Sequence, residues 1–252
     1  MSELSGLYAL WYREFKVFLR EPSRIVSSLI QPLMWLLIYG TGLGSIVSVA
    51  STGVSYQEFI FPGILAMTIL FGSLFFGLYI ILDKRVDFLK EVLVSPLNRS
   101  TIFLGKVIGG STDGIIQIIL LLILGALFFG IPFSVYSVIM SFIIVILLLI
   151  SITSLGLTIG AMMESPEGFG LISSFVIFPL FFLSGALFPV DKLPAWLHVF
   201  VVINPVSYAV DALRTVILGI SGFGLILDFI VLIVFAILMV LIGTYAFKRM
   251  KI

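Results

Sequence analysis

The sequence of 252 residues contains no cysteine, a single histidine and few charged residues. Without cysteine the chain forms neither disulfides nor thiolate metal sites. The lone histidine, His198, argues against a haem or metal centre, because such a centre in a helix bundle needs several helix-borne ligands. His198 has no evident acidic or histidine partner and is expected to be an interfacial residue. The formal net charge is +1, so no basic face indicates nucleic acid as a partner.

Hydrophobic residues dominate instead: they make up 61% of the sequence, and the mean hydropathy is +1.28. Charged residues are 11% of this chain, against about 25% in a soluble domain. Hydrocarbon does not satisfy backbone N–H and C=O groups, so a chain of this composition spans the membrane as a helix bundle or a barrel. Its apolar runs are about 20 residues long and do not alternate with polar residues, which predicts an all-α integral membrane protein.

The first 24 residues are less apolar and are predicted to form an amphipathic helix in the membrane interface. The apolar residues at helical spacing are Leu4, Leu7, Trp11, Phe15 and Phe18. The basic residues before the first apolar run are Arg13, Lys16, Arg20 and Arg24. That run is too long for a signal peptide, and no small-residue cleavage site follows it, so a cleavable signal is not expected.

Six spans are predicted, and basic residues give their orientation. The predicted limits are 25–48, 58–82, 104–128, 134–162, 168–187 and 223–247. If the N-terminus is cytoplasmic, 12 of the 14 lysines and arginines lie inside, and only Lys192 and Arg214 lie outside. Because positive residues are retained on the cytoplasmic side, we expect a multi-pass protein of the cell (cytoplasmic) membrane with both termini in the cytoplasm.

The segment 83–99 between the second and third spans combines charges of both signs with an apolar stripe. Its charged residues are Asp83, Lys84, Arg85, Asp87, Lys90 and Glu91. Its apolar residues are Val86, Phe88, Leu89, Val92, Leu93 and Val94. A short amphipathic helix of this kind docks into a groove of a partner, because apolar anchors give affinity and charges set the register. The same pattern also fits a solvated loop whose basic residues only fix the topology.

The loops leave little room for a soluble domain. No GxxxxGK motif followed by Ser or Thr occurs, and no loop is long enough for a nucleotide-binding domain. If the protein performs work, we expect the energy to come from a separate protein.

The segment 188–222 between the fifth and sixth spans is too long for a turn and too apolar for a solvated domain. Pro189, Pro194 and Pro205 divide it into pieces too short to cross a bilayer. This pattern predicts a re-entrant hairpin in the outer leaflet, buried in protein or lining a wet cavity; a lid that merely closes the bundle is the alternative. Asp211 and Arg214 lie three residues apart on one helical face and could pair; a structural role for such a pair is favoured over substrate binding.

Asp113 is an ionisable residue inside the third span, on one stripe with Lys106 and Gln117. At that depth it must face protein or water. It is either part of a proton or ion relay or makes a buried structural bond with Lys106 or a residue of the N-terminal helix. The structural role is favoured, because a relay needs more than one acid.

Three separate stretches of the sequence match the motifs of one family of membrane proteins. Asp83, Arg85 and Phe88–Pro96 are similar to the cytoplasmic signature D-R-E-F-G-F-L-K-E-M-L-V-(A/S)-P, with Val86-Asp87 in place of its aromatic-Gly pair. Residues 31–40 resemble QPLxWLxxxG, and residues 178–208 resemble FPxxFLSGxxFPxxxLPxWLxxxxxxNPxxY. By these motifs the chain resembles ABC type-2 permeases, especially the branch of daunorubicin-resistance and nodulation-export permeases, and the resemblance covers essentially the whole chain.

The resemblance implies the permease subunit of an ATP-binding-cassette exporter that moves a hydrophobic or amphipathic substrate, such as a drug, a lipid or a lipid-linked glycan. It implies a homodimer served by two copies of a separate ATPase, which would bind ATP and Mg²⁺; no cofactor, metal or catalytic residue is expected in this chain. The residues implied in coupling to the ATPase are Asp83, Lys84, Arg85, Asp87, Phe88, Leu89, Lys90, Glu91 and Leu93. Those of the outer hairpin are Trp196, Asn204, Tyr208, Asp211 and Arg214.

The resemblance also places the second and fifth spans along the translocation path, which makes Phe75, Phe178 and Phe182 candidates for its wall. For any one of them, contact with lipid or with packed neighbours is the favoured explanation. Two other functions stay open: a stand-alone ion-coupled transporter or channel, and a non-transporting membrane scaffold or immunity protein. The former needs internal repeats or a string of intramembrane charges, and Asp113 stands alone.

Overall fold

A computed structural model of the chain describes residues 2–42, 44, 54–190 and 193–250, with the exception of the Arg24 side chain. Lys192 and residues 45–48, the end of the first predicted span, lie outside this part. Within it the regular elements are eleven α-helices and no strand, as the composition predicts. They are α1 (Glu3–Leu19), α2 (Pro22–Gly42), α3 (Tyr56–Phe75), α4 (Leu78–Arg85), α5 (Phe88–Val94), α6 (Arg99–Phe129), α7 (Val135–Met162), α8 (Pro166–Phe182), α9 (Ala195–Ile203), α10 (Pro205–Leu218) and α11 (Leu225–Arg249).

Five helical stretches of the described chain are long and apolar enough to cross a membrane. They are Ile25–Gly42, Tyr56–Arg85, Arg99–Phe129, Val135–Met162 and Leu225–Arg249. The fifth predicted span, 168–187, falls on α8, which is apolar but has only 17 residues. At 1.5 Å per residue α8 is about 26 Å long, against about 30 Å of hydrocarbon. The helices α9 and α10 reach spanning length only together, and they are bent by 87° at Asn204.

Polar caps and prolines at the short connections explain where the helices begin. Before α3, the Ser55 hydroxyl accepts from the Glu58 N–H at 3.2 Å, and the Glu58 carboxylate accepts from the Ser55 N–H at 2.7 Å. This reciprocal capping box satisfies two backbone donors that the first helical turn leaves unpaired. Ser134 caps α7 in the same way, and Ser165 caps α8 ahead of Pro166. The sequence therefore sets these helix starts locally.

The helix α3 is at the centre of the bundle and is mostly buried, in contact with α2, α6, α7, α8 and α10. Its approach to α7 is so close that a Cβ atom at Gly156 would collide with the Leu74 carbonyl oxygen, and one at Gly160 with that of Gly77. The Gly156-x3-Gly160 spacing thus lets two apolar helices pack backbone to backbone.

The N-terminal helix α1 packs along the first half of α6, and the two helices run in the same direction. Gly105 faces Leu10, and Gly109 faces Glu14. The buried residues of α1 are Gly6, Leu10, Glu14 and Phe18, each four positions after the last. This face is turned away from the middle of the predicted apolar stripe. Aromatic rings of that stripe instead form a stacked row with Tyr8 and Tyr12 along the outer side of α1.

Candidate functional site

The amphipathic segment predicted at 83–99 forms α5, and a two-residue connection, Val86 and Asp87, separates it from α4. Asp87 has φ 57° and ψ 0°, and it is the only described non-glycine residue with positive φ. L-residues other than Asn and Asp rarely adopt this left-handed conformation, whereas glycine adopts it freely. Asp87 stands where the resembled signature has glycine, and it takes the conformation that a glycine would take. Its carbonyl then accepts from the Lys90 N–H at 3.0 Å and the Glu91 N–H at 3.2 Å, which starts α5 at Phe88.

One face of α5 is anchored and the other is exposed. Leu89 is buried in an apolar cluster with side chains of α1, α4, α6, α7 and α11. On the outer face, Val86 is 72% and Val94 83% exposed. Between them Lys90 lies 2.7 Å from the Asp87 carboxylate, and both side chains are exposed. The outer face thus carries two apolar side chains on either side of an ion pair.

The residues predicted for coupling fall into two groups. Arg85, Asp87, Lys90 and Glu91 are exposed next to one another. Asp83 and Lys84, in contrast, belong to the last turn of α4, Asp83 is buried, and Phe88, Leu89 and Leu93 are wholly or partly buried in α5. The Lys84 ammonium donates to the carbonyls of Ala161 at 2.8 Å and Met163 at 3.3 Å, at the end of α7. The second group therefore packs against the rest of the bundle, whereas the first group is exposed.

A buried network of four charged residues joins α1, α4 and α6. The Lys106 ammonium lies 2.5 Å from the Asp83 carboxylate and 3.1 Å from that of Glu14. Arg13 completes the network, at 3.0 Å from Asp83 and 2.7 Å from Glu14. Two cations thus face two carboxylates, and the Lys106 side chain is 0% exposed. Removing charge from water is costly, so an arrangement of this kind persists only when each member is paired.

Arg13 also connects this network to α5. Its guanidinium lies 3.8 Å from the centroid of the Phe88 ring, the first residue of α5. A cation over an aromatic face is attracted by the ring quadrupole, the more strongly where water is excluded. Arg13 of α1 therefore contacts α4 and α5 directly, and Lys106 of α6 joins the same network through Glu14 and Asp83.

Two further side chains fasten the ends of helices on this side of the bundle. Arg99, at the start of α6, donates to the Lys248 carbonyl at 3.0 Å and the Met250 carbonyl at 2.9 Å, at the end of α11. Glu3, in the first turn of α1, accepts from the Asn98 side-chain amide at 2.7 Å. Arg99 thus pairs carbonyl groups that the end of α11 leaves without helical partners. Glu3 holds Asn98, the residue that precedes α6.

Asp113 lies deeper in α6 and is buried. Lys106, one of its two predicted partners, is bonded to Glu14 of α1 and to Asp83. Asp113 lines a cavity of about 10 Å³ together with the polar side chains of Thr68, Ser73 and Gln117. That volume is about what one water molecule needs, and the lining supplies enough hydrogen-bonding groups to hold it.

The phenylalanines proposed for a path wall lie on a common aromatic surface of α3 and α8. The ring centroids of Phe178 and Phe182 are 6.1 Å apart, and the Phe71 ring meets Phe178 edge-on at 6.2 Å. Phe75 meets Phe169 of α8 at 6.1 Å. Phe71 and Phe75 also line a cavity of about 280 Å³ between α2, α3 and α6, whose polar lining residues are Ser28, Gln31, Thr68 and Gln117.

The predicted hairpin residues lie at the opposite end of the bundle from α5. Asn204 occupies the bend, where its side-chain amide donates to the Leu180 carbonyl at 2.8 Å. The Tyr208 hydroxyl donates to the Val202 carbonyl at 2.8 Å, which ties α10 back to α9. Trp196 of α9 is 66% exposed.

Asp211 and Arg214 bond to different segments. The Asp211 carboxylate accepts from the N–H groups of Gly222 and Phe223, both at 2.8 Å. The Arg214 guanidinium donates to the Gly185 carbonyl at 3.0 Å and lies 3.9 Å from the Phe59 ring centroid. Each side chain therefore fixes a connection between helices.

Two network residues, Arg13 and Glu14, had no predicted functional role. The contact between Arg13 and Asp83 joins positions 70 residues apart, which no local pattern reveals. One signal was nevertheless present: Glu14 lies four residues after Leu10 and four before Phe18, both buried. An acidic residue in line with an apolar helix face indicates a buried cation opposite it.

Comparison with known proteins links this architecture to membrane transport. The family model described as ABC-2 type transporter matches residues 5–218. The chain is 33% identical to a putative transport permease, ycf38, of Cyanophora paradoxa over 218 residues, which is 84% of this chain and 73% of that protein. It is 29% identical to the inner membrane transport permease YadH of Escherichia coli K12 over 244 residues, covering 94% and 92% of the two chains. Nodulation protein J of Rhizobium leguminosarum bv. viciae is 25% identical over 257 residues, covering 96% and 93%.

Proposed function

The chain belongs to the ABC-2 type transporter family as a transport permease, a multi-pass membrane subunit, and from this we propose that it serves an ATP-binding-cassette exporter driven by a separate ATPase. ATP and Mg²⁺ would bind that ATPase and not this chain. The observation that carries the proposal is the placement of α5: its outer face is exposed, while its inner face is fixed to a buried ion network.

The outer face of α5 is the proposed docking surface. Val86 and Val94 would enter apolar depressions of the ATPase, and the charges of Asp87, Lys90 and Glu91 would set the register. Exposed apolar side chains on a helix at the bundle's end are costly in water and are covered by a bound partner. Two ATPase subunits would serve two copies of the chain.

The ion network is the proposed route by which docking moves the bundle. When the ATPase subunits close around nucleotide, α5 would be displaced, and Arg13 and Asp83 would carry the displacement to α1, α4 and α6. Buried ion pairs suit this role because they resist separation in a medium of low dielectric constant. Such coupling requires that ATPase docking differs in free energy between the two states of the permease.

The aromatic surface of α3 and α8 is the proposed wall of the translocation path. Side chains of α2 and α8 next to it remain exposed, among them Ile30, Met34 and Phe175. We propose that a second copy of the chain covers this side and encloses the path between the two copies. Aromatic and aliphatic walls favour a hydrophobic or amphipathic substrate, such as a drug, a lipid or a lipid-linked glycan.

The proposed orientation follows the basic residues. The end of the bundle with α5 would face the cytoplasm, and both chain termini would lie there. The helix α1 would lie at the inner interface with its aromatic row towards the headgroups. The bent pair α9–α10 would enter the outer leaflet without crossing it, since a bend of 87° directs the two halves apart.

Co-purification with the ATPase tests the proposal. We expect a co-expressed ATP-binding-cassette subunit to be retained by the tagged chain. The substitutions Lys90→Glu and Val94→Asp should each reduce that retention, because they alter the outer face of α5 without touching its buried side. Lys248→Glu is the matched control, since Lys248 is an exposed lysine at the same end of the bundle but lies outside α5. Retention that is equal in all four proteins would reject α5 as the docking element.

A further inference from the structure

A large cavity at the α5 end of the bundle shares Lys90 with the docking face and contains no residue of the ion network in its lining. It has a volume of about 770 Å³ and is enclosed by α5, the ends of α4 and α7, and the last turns of α11. A volume of this size accommodates a drug-sized or lipid-headgroup-sized molecule. Its lining combines charged side chains with apolar side chains of α5 and α11.

Cations outnumber acids in the lining of this cavity. Lys84, Lys90 and Arg249 contribute positive charge, and Glu164 contributes the single carboxylate. Lys84 uses two of its three N–H groups on the end of α7, and Lys90 is engaged with Asp87. Arg249 forms no ion pair within the described residues, and its guanidinium lies over the Tyr245 ring at 4.5 Å. A guanidinium offers five donors in a planar fork that matches the oxygens of a phosphate. The excess of cations in the lining is therefore complementary to a phosphate group, with Arg249 as its principal ligand.

The apolar wall continues into the outer surface of α11. Ile242 and Tyr245 line the cavity and are also exposed on the outer side of the helix. Leu238 and Leu241, one turn further into the membrane, extend the same exposed stripe. An acyl chain would pack along this apolar stripe, whereas a water-soluble phosphate compound would leave it uncovered. The stripe therefore favours a lipid as the ligand.

We propose that this cavity binds an acidic phospholipid, with its phosphate at Arg249 and an acyl chain along α11. Basic recesses between membrane helices on the cytoplasmic side are suited to acidic headgroups. The lipid would come from the leaflet on the α5 side of the membrane, which is the inner leaflet in the topology proposed above. The site requires only the folded chain, so lipid binding can be tested in the absence of the ATPase, and its failure would not affect the proposed ATPase docking.

Native mass spectrometry of the purified, delipidated full chain tests the site. The probes are phosphatidylglycerol and phosphatidylcholine with identical acyl chains. The unchanged chain should retain phosphatidylglycerol preferentially. Arg249→Gln should weaken that binding about five-fold, the contribution typical of one basic residue facing an acidic lipid. Ala246→Trp, which fills the cavity without changing charge, should lower it at least as much. Lys248→Gln is the matched control, because it removes a neighbouring cation that does not line the cavity.

Each variant is first shown to be monodisperse, with unchanged helical circular dichroism, so that misfolding is not read as lost binding. Equal retention of the two lipids would overturn the proposal. An equal loss from Lys248→Gln and Arg249→Gln would also overturn it, because general surface attraction would then account for the binding. If Arg249→Gln loses affinity but Ala246→Trp binds as the unchanged chain does, the lipid does not occupy the cavity, and the proposal fails.

Discussion

Lys106 and Asp83 form an ion pair of 2.5 Å that is buried from water and joins α6 to α4. Glu14 and Arg13 surround this pair, so every charge in the network faces an opposite one. The pair thus belongs to a network of two cations and two carboxylates whose charges balance, and a substitution that removes one charge should destabilise the network.

Lys106→Met leaves Asp83 and Glu14 buried with only Arg13 to balance them. We expect a loss of stability of about 3–5 kcal/mol, the usual cost of removing one partner of a buried pair. The double variant Lys106→Met with Asp83→Asn restores neutrality and should be more stable than the single variant. Thermal unfolding in detergent measures both. A double variant less stable than Lys106→Met would contradict the description of the network as a charge-balanced unit.

Asp87 has the left-handed conformation of a glycine, so its replacements should differ by backbone preference. Asp87→Gly and Asp87→Ala both remove the exposed pair with Lys90, which contributes little. We expect the alanine variant to be less stable than the glycine variant by about 1 kcal/mol, because alanine resists positive φ. Thermal unfolding of the two proteins side by side measures this difference. Equal stability would show that the backbone at residue 87 relaxes.

Gly160 and Gly170 differ in the room that each leaves for a side chain. A Cβ atom at Gly160 would collide with the Gly77 carbonyl oxygen, whereas one at Gly170 of α8 would meet nothing within 4 Å. Gly160→Ala should therefore destabilise the bundle by about 1–3 kcal/mol, as overpacking does. Gly170→Ala should leave stability unchanged or raise it slightly, since alanine favours a helix. The melting temperatures of the two variants check the contact between α3, α4 and α7, and equal melting would reject it.

Arg13 connects the network with Phe88 of α5. Its loss should therefore leave ATPase docking intact but prevent the movement of α5 from reaching the rest of the bundle. We expect Arg13→Gln to keep the ATPase bound while abolishing the ATP-dependent change in thiol labelling of a cysteine placed at Phe75. The cysteine-free background makes that thiol unique. Arg20→Gln is the control, an exposed arginine at the end of the same helix. An unaltered labelling response in Arg13→Gln would exclude the proposed route.

Thiol labelling of single cysteines also tests the proposed orientation in the membrane. A single cysteine replacing Trp196 in α9 should react with a membrane-impermeant maleimide in intact cells. One replacing Lys248, at the end of α11 and outside the proposed docking surface, should react only after the cells are lysed. Both native side chains are exposed and neither belongs to that surface, so access to the reagent is decided by the membrane. The reverse pattern would invert the topology.

The position of α5 was predictable because its signals are local. Alternating charges, an apolar stripe and Pro96 lie within one short segment, and the helix ends at Val94, two residues before the proline. The division of its charges was not predictable. Asp83 and Asp87 look alike in the sequence, and Asp83 is turned inward by contacts with Arg13 and Lys106, which are 70 and 23 residues away in the chain.

The end of the bundle opposite α5 illustrates the same limit. Pro205 and the apolar residues before it predicted a broken helix, and a bend of 87° is present. The spacing of Asp211 and Arg214 places both on one helical face, but it does not reveal that the Asp211 carboxylate accepts from the N–H groups of Gly222 and Phe223 in the connection after α10. Such a contact depends on how the chain turns after the helix, which helical spacing does not describe.

Arg99 holds the final carbonyls of α11 against the start of α6. The carboxyl-terminal end of the described chain is consequently held close to α5 and α1. A fluorescent protein fused there would lie close to the surface at which the ATPase is proposed to dock. Energy transfer from such a fusion to a dye on the ATPase would report the distance between the two proteins during ATP hydrolysis.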